Sequence, residues 1–361
     1  MTGEIIRIPV PLSGNPYTIL IGKGILSEAG GLSLKVLKPC RCAVISDSVV
    51  APLHAGILIQ SLRDAGFDPH LLTVPAGEAS KSMAVAADLC DRLIGLGLDR
   101  KAAVFALGGG VVGDLAGFVA SIHYRGIPVI QVPTTVVAQV DSSVGGKTGV
   151  NSPLGKNLTG TFHQPRLVIA DTSTLTTLPD RIFREGMAEV IKHSVIADGG
   201  ILDLLPSRQD DDLVPLIARN TAIKAGIVAR DEFETAGTRA LLNFGHTVGH
   251  AVEAVAGYGA LSHGEAVAIG MVAALDLSVR LAGLPGPEAS RIVSVIKDCG
   301  LPTAIPPGLT TESILDAFRR DKKFERGAIR FVLTKKTGTA FVSDQVTLAD
   351  VTAAIERIQS S

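Results

Sequence analysis

Tryptophan is absent from the 361 residues and aromatic side chains make up only 4% of them, so any core must be filled by Ala, Val, Leu and Ile. Cysteine is scarce too. Cys40, Cys42, Cys90 and Cys299 form no CxxC pair, which argues against a thiolate metal site or a dithiol redox pair and leaves them as small buried hydrophobes. The 34 Lys and Arg against 35 Asp and Glu give a net charge of −1, so no global field draws in nucleic acid. Any anion must be met by a local group of cations. No run approaches the ~20 uninterrupted apolar residues of a membrane span. The opening Met-Thr-Gly-Glu-Ile-Ile-Arg alternates like a strand and lacks a signal peptide's apolar block. A cytoplasmic protein without membrane or nucleic-acid partners is expected.

What is present suits a sizeable core: 46% hydrophobic and 19% charged residues, in a chain long enough for two domains. Short β-rich runs alternate with helical patterns through the first half, as in a parallel sheet covered by helices. Strands are expected at 41–46, 69–74, 101–107 and 128–132, with helices near 52–65, 83–95 and 115–124. After Leu178-Pro179 long amphipathic helices dominate, as at 184–197 and 213–231, and a late strand pair falls around 329–334 and 339–342. The sequence therefore divides into an α/β domain over 1–178 and a mainly helical domain over 179–361.

The densest chemistry lies between Arg239 and Glu265. His246 and His250 stand four residues apart, one turn on a helix, and His263 follows the break at Gly257-Tyr-Gly259, where the chain can fold back. Arg239 and Asn243 fall on the same helical face. Helix capping or gap filling accounts for any one of these histidines. Three of the chain's eight within eighteen positions point to a metal site for Zn, Co or Fe, its fourth partner a carboxylate or water.

A second constellation follows the strand at 101–107. Gly108, Gly110 and Gly113 fit G-x-G-x-x-G between a strand and a helix, where glycines let a pyrophosphate approach the backbone. The motif follows a middle strand, and no acidic residue lies ~20 positions on to meet a ribose. Asp47 or Glu78 can take that part. From Gln131 to Gly160, Thr134, Thr135, Ser142, Ser143, Gly145 and Gly146 offer hydroxyls and accessible amides, with Lys147 and Lys156 as cations. Gly145-Gly-Lys-Thr148 looks like a P-loop tail, but Asp141 stands where the upstream glycine belongs, which rejects an ATPase.

In order along the chain, Val104–Gly160, Gly186-Met-Ala-Glu-Val-Ile-Lys192, Leu241-Leu-Asn-Phe-Gly-His-Thr-Val-Gly-His250, His263-Gly-Glu-Ala-Val, and Asp321-Lys-Lys323 followed by Phe331-Val-Leu333 resemble the 3-dehydroquinate synthase family. The resemblance covers nearly the whole chain. It implies an N-terminal Rossmann-like domain, a C-terminal mainly helical metal-binding domain, and a homodimer. The implied reaction converts 3-deoxy-D-arabino-heptulosonate 7-phosphate, a phosphorylated sugar acid, to 3-dehydroquinate in the shikimate pathway. NAD is used catalytically, with one divalent metal, Zn or Co. Oxidation, loss of phosphate by β-elimination, reduction, ring opening and an intramolecular aldol closure follow one another.

Residue by residue, the resemblance replaces the histidine pair with Glu189, His246 and His263 as ligands and moves His250 to the substrate phosphate. Lys147, Asn243 and Lys322 join it there, with Arg125 reaching over from a second subunit. Arg239 and Lys224 are implied for the carboxylate, and Asp141, Asn157 and Lys192 for ring hydroxyls. NAD falls to Asp47, Glu78, Lys81, Gly109, Gly110, Gly113, Asp114, Thr134, Thr135, Lys147, Lys156, Thr174 and Thr177. His193, four residues after Glu189, is a spare ligand. Three rivals remain. A sister sugar-phosphate cyclase would not need the carboxylate pair Arg239 and Lys224. A metal-dependent polyol dehydrogenase fits poorly with so many cations, and a dead nucleotide-binding subunit fits poorly with an intact metal set.

Overall fold

Apolar runs with no polar alternation fill the central strands of the first half, because the sheet they form is covered on both faces. In the computed structural model, residues 4–205, 213–257, 260–320 and 329–359 are described, and Asp321, Lys322 and Lys323 lie outside them. The strands are β1 (Ile6–Val10), β2 (Tyr17–Gly22), β3 (Arg41–Asp47), β4 (Asp68–Val74), β5 (Ala103–Gly108), β6 (Val129–Pro133), β7 (Lys147–Ser152), β8 (Gly155–Phe162) and β9 (Leu167–Asp171). Seven make one sheet in the order β1-β2-β9-β6-β5-β3-β4, and only the edge strand β1 runs antiparallel. Alternate residues divide between the two faces: Phe105 and Leu107 join one apolar cluster, Val104 and Ala106 the other.

Taken in chain order, β3, β4, β5, β6 and β9 have the 2-1-3-4-5 arrangement of a doubly wound sheet. Chain direction across the sheet reverses between β3 and β5, and ligands of such sheets bind at that point, beyond the carboxyl ends of the strands. The helix after β5 runs Gly110–Ile122, so it begins inside the glycine motif and not at 115. A Cβ on Gly113 would stand 2.9 Å from Gln131 Oε1 of β6, so this glycine lets the helix lie close on the sheet. The polar stretch contains the antiparallel hairpin β7–β8, which period-two apolar alternation did not announce.

The chain forms two compact units, Met1–Pro179 with Arg208–Phe233, and Asp180–Ser207 with Glu234–Ser361. The single division drawn at 178 thus differs from the observed units over one helix, Val214–Arg230. That helix packs on β1, and its Thr221 hydroxyl donates to the Gln139 carbonyl at 3.2 Å.

In the second unit, helices Asp180–Ala197, His246–Ala256 and His263–Leu277 accompany the hairpin β10 (Ile329–Lys336) and β11 (Thr339–Val346) and the helix Leu348–Ile358. Val248, Val252, Ile269, Ala273, Phe331, Leu333 and Ile355 make its core. All four cysteines are free thiols; Cys42 is buried as expected, whereas Cys40, Cys90 and Cys299 are half-buried. Among the described residues no helix is long and apolar enough to cross a membrane.

Candidate functional site

Two glycines bring the histidines together. Gly245 takes φ 79°, ending the short 3-10 turn Thr238–Asn243 and starting the helix at His246. A Cβ on Gly270 would meet the Gly245 carbonyl oxygen at 1.9 Å, so the helices His246–Ala256 and His263–Leu277 touch backbone to backbone. The His246 ring centre lies 5.3 Å from those of His250 and His263, and the latter two are 5.8 Å apart. Because Gly245 breaks the helix, Arg239 and Asn243 do not continue the face of His246 as the spacing suggested.

Glu189 faces this cluster from the helix Asp180–Ala197. Its Oε1 lies 3.5 Å from His246 Nε2 and 3.7 Å from His263 Nε2. Two ligands each ~2.0–2.1 Å from a tetrahedral ion stand roughly 3.4 Å apart, so these spacings suit a shared cation. Glu189 is 1% exposed, and its Oε1 accepts no hydrogen bond; a cation would satisfy it. The far ring nitrogens are anchored. His246 Nδ1 donates to the Phe244 carbonyl at 3.2 Å, and His263 Nδ1 lies 3.2 Å from Glu253 Oε2. A carbonyl only accepts, so His246 carries its proton on Nδ1 and presents a lone pair at Nε2.

Electrostatics follow from the burial. Desolvation lowers the His246 imidazole to about 4, against the pull of Glu189. Desolvation acts on His263 in the same sense, yet the Glu189 and Glu253 carboxylates outweigh it and hold the ring up at about 9. Burial would raise Glu189, but the Lys192 ammonium and His246 keep it well below the usual carboxylate range. Lys192 itself is 1% exposed and ion-paired to Glu189.

Ligating atoms of His246, His250 and His263 lie within 4.8 Å of one another, the set that includes the histidine pair read from spacing; Glu189 and His193, both buried, are not in that group. Glu253 went unnoticed in the sequence. Its spacing to His246 and His250, seven and three residues, placed it on their face. Arg239 is 2% exposed, its Nε 3.8 Å from Glu234 Oε1, and Asn243 is half-buried at the end of its turn.

In the first unit, most of the residues singled out for a nucleotide lie at or beyond the carboxyl ends of parallel strands. Asp47 ends β3, and one of its oxygens accepts from the amides of Val49 and Val50 at 2.8 and 2.9 Å. Glu78 and Lys81 follow β4, Gly109, Gly110, Gly113 and Asp114 follow β5, Thr134 and Thr135 follow β6, and Thr174 and Thr177 follow β9. Lys81 Nζ donates to Asp114 Oδ2 at 2.5 Å and also to Asn157 Oδ1. Lys147 is exposed at the start of β7, a strand where a P-loop would need a helix, and Lys156 is half-buried on β8. Lys224 donates to the Asp141 carbonyl at 2.6 Å and pairs with its carboxylate. Arg125 is exposed in a left-handed conformation, φ 68°.

Solved structures place this fold. A 2-deoxy-scyllo-inosose synthase complexed with carbaglucose-6-phosphate, NAD+ and Co2+ is 25% identical with a TM-score of 0.83, covering 98% of this chain and 99% of that one. A 2-epi-5-epi-valiolone synthase from Streptomyces hygroscopicus subsp. jinggangensis, with NAD+ and Zn2+ bound, is 28% identical with a TM-score of 0.86, covering 96% and 98%. The fold is that of the sugar-phosphate cyclases.

The family descriptions "3-dehydroquinate synthase N-terminal" and "3-dehydroquinate synthase C-terminal" match residues 71–185 and 186–324. A curated 3-dehydroquinate synthase from Acidithiobacillus ferrooxidans is 46% identical over 354 residues, 96% of each chain. The chain belongs to the 3-dehydroquinate synthase family.

Proposed function

We propose that the chain converts 3-deoxy-D-arabino-heptulosonate 7-phosphate to 3-dehydroquinate and phosphate, a carbon–oxygen lyase reaction, with NAD and one divalent metal, Zn or Co. The carrying observation is 46% identity to a curated relative of that name across 96% of the chain. The neighbours with NAD+ and Co2+ or Zn2+ support the cofactors. Cytoplasmic location and a homodimer belong to the same proposal.

Glu189, His246 and His263 would hold the metal, a choice supported by the buried carboxylate and the two Nε2 atoms turned toward it. When bound, NAD accepts and returns a hydride and the ion stabilises negative charge on substrate oxygens. The buried Arg239 guanidinium would grip the carboxylate with its planar fork, aided by Lys224. Lys147, Asn243, His250 and Lys322 would hold the phosphate, with Arg125 of a second subunit. Asp141, Asn157 and Lys192 would orient ring hydroxyls. On the nucleotide side, Asp47, Glu78, Lys81, Gly109, Gly110, Gly113, Asp114, Thr134, Thr135, Lys147, Lys156, Thr174 and Thr177 would receive NAD, a choice supported by the strand-end position most of them share.

The test is phosphate release from the heptulosonate phosphate with sub-stoichiometric NAD. Many phosphates per NAD, without growth of NADH absorbance, are expected. NADH accumulating one-for-one with product would make the chain a dehydrogenase instead.

A further inference from the structure

Asn151 has no role in the reading above, yet three of its polar groups are committed. It lies near the end of β7 at a register irregularity: Val150 pairs with Thr159, but Ser152 already pairs with Gly155. Such bulges re-aim a side chain out of the strand pattern. Its backbone amide donates to the Lys81 carbonyl at 2.8 Å. Its Nδ2 donates to Glu78 Oε1 at 2.7 Å, and its Oδ1 accepts from the Asn157 amide at 2.9 Å. Asn157 holds φ 59°, a left-handed conformation that asparagine adopts more readily than other non-glycine residues, and the contact to Asn151 Oδ1 fixes its amide there. Its own side chain then accepts from Lys81, which also donates to Asp114.

We propose that Asn151 is a positioning residue that ties the Glu78–Lys81 segment to Asn157, so that the group set for the nucleotide and a group set for the substrate are held by one amide. The inference rests on the roles proposed for Glu78 and Asn157. The Asn151 amide carries both a donor for the Glu78 carboxylate and an acceptor for the Asn157 N–H. Aspartate keeps the acceptor but sets a second carboxylate against Glu78.

The two variants therefore separate the arms. In Asn151→Ala, the NAD dissociation constant and the substrate KM should each rise roughly two- to tenfold, the scale of one lost hydrogen bond, and the Asn157 amide should exchange hydrogen faster. In Asn151→Asp, the Asn157 amide should stay protected and KM should stay within about twofold, while NAD affinity falls at least as far as in the alanine variant. Rapid Asn157 exchange in Asn151→Ala with unchanged NAD affinity and KM overturns the proposal. So does an equal loss of every parameter, melting temperature included, in both variants, which marks a purely structural asparagine. If the wild-type chain binds NAD but releases no phosphate, the proposed reaction fails. NAD affinity and Asn157 exchange in the variants then still decide the role of Asn151.

Discussion

The two units build their candidate sites by opposite means. In the first, most of the residues come from five strand ends, and the sheet topology brings them to one edge, with Lys147 and Lys156 on the separate hairpin β7–β8. In the second, His246, His250 and His263 from two helices form one cluster, and Glu189 of a third helix faces His246 and His263. A site shared among many weak contacts should degrade gradually under mutation. One resting on three ligands should fail at a single change.

The sharpest way to break that contrast is His263→Ala. Removing one of three proposed protein ligands should abolish turnover and metal retention while the fold survives, as read by elemental analysis and calorimetry. On the other side, Glu78→Gln keeps a carbonyl acceptor and loses only the charge, so NAD should weaken by no more than about tenfold, the difference of about 1 kcal/mol between a charged and a neutral hydrogen bond. Full metal occupancy and normal activity in His263→Ala would remove His263 from the ligand set.

Glycine substitution probes how rigidly each site is supported. Gly270→Ala drives a methyl to 1.9 Å from a backbone oxygen, and the neighbouring helix must move. A loss of about 3 kcal/mol or more in stability is expected, together with weaker metal binding. Gly113→Ala meets the end of a flexible glutamine at 2.9 Å, and should cost only about 1 kcal/mol. Equal losses in chemical denaturation would erase the distinction between the two supports.

Arg239→Lys keeps the charge and loses the fork. Binding of the heptulosonate phosphate should weaken by roughly 2–3 kcal/mol, with NAD and metal affinities unchanged. An analogue without the carboxylate should lose little further activity in the mutant. If both substrates suffer equally, Arg239 serves structure or phosphate, and the carboxylate assignment fails.

Legibility in the sequence followed the range of the forces. The helix at 83–95 was read to the residue, because its apolar period is local. The glycine motif and the histidine cluster were equally plain. The hairpin β7–β8 was not, since most of β8 faces solvent and carries no apolar alternation. Nor was the membership of Val214–Arg230 in the first unit, which depends on partners such as Gln139 and Asp141 some eighty residues earlier. The backbone turn at Gly245 was hidden for a different reason: a glycine inside a helical pattern reads the same whether it continues the helix or breaks it.

The smallest effect concerns how the first unit keeps a histidine neutral. His54 is buried, and desolvation lowers its imidazole below the ordinary 6.5 in spite of Asp171. The Thr177 hydroxyl spends its proton on the Thr174 carbonyl at 2.8 Å, so at 2.9 Å it must accept from His54 Nε2–H. Protonation at Nδ1 then places a charge in an apolar setting. With the folded pKa below the unfolded one, the unfolded chain binds the proton first as pH falls below about 6.5, and stability declines in that direction. His163, also lowered by burial, adds to the same slope. In His54→Gln the amide can still donate to Thr177 but does not titrate. Its melting temperature should therefore fall less between about pH 7 and pH 5.5 than that of the wild type. An unchanged slope would mean that His54 takes up its proton in the folded protein at no cost, and that its burial does not set its charge.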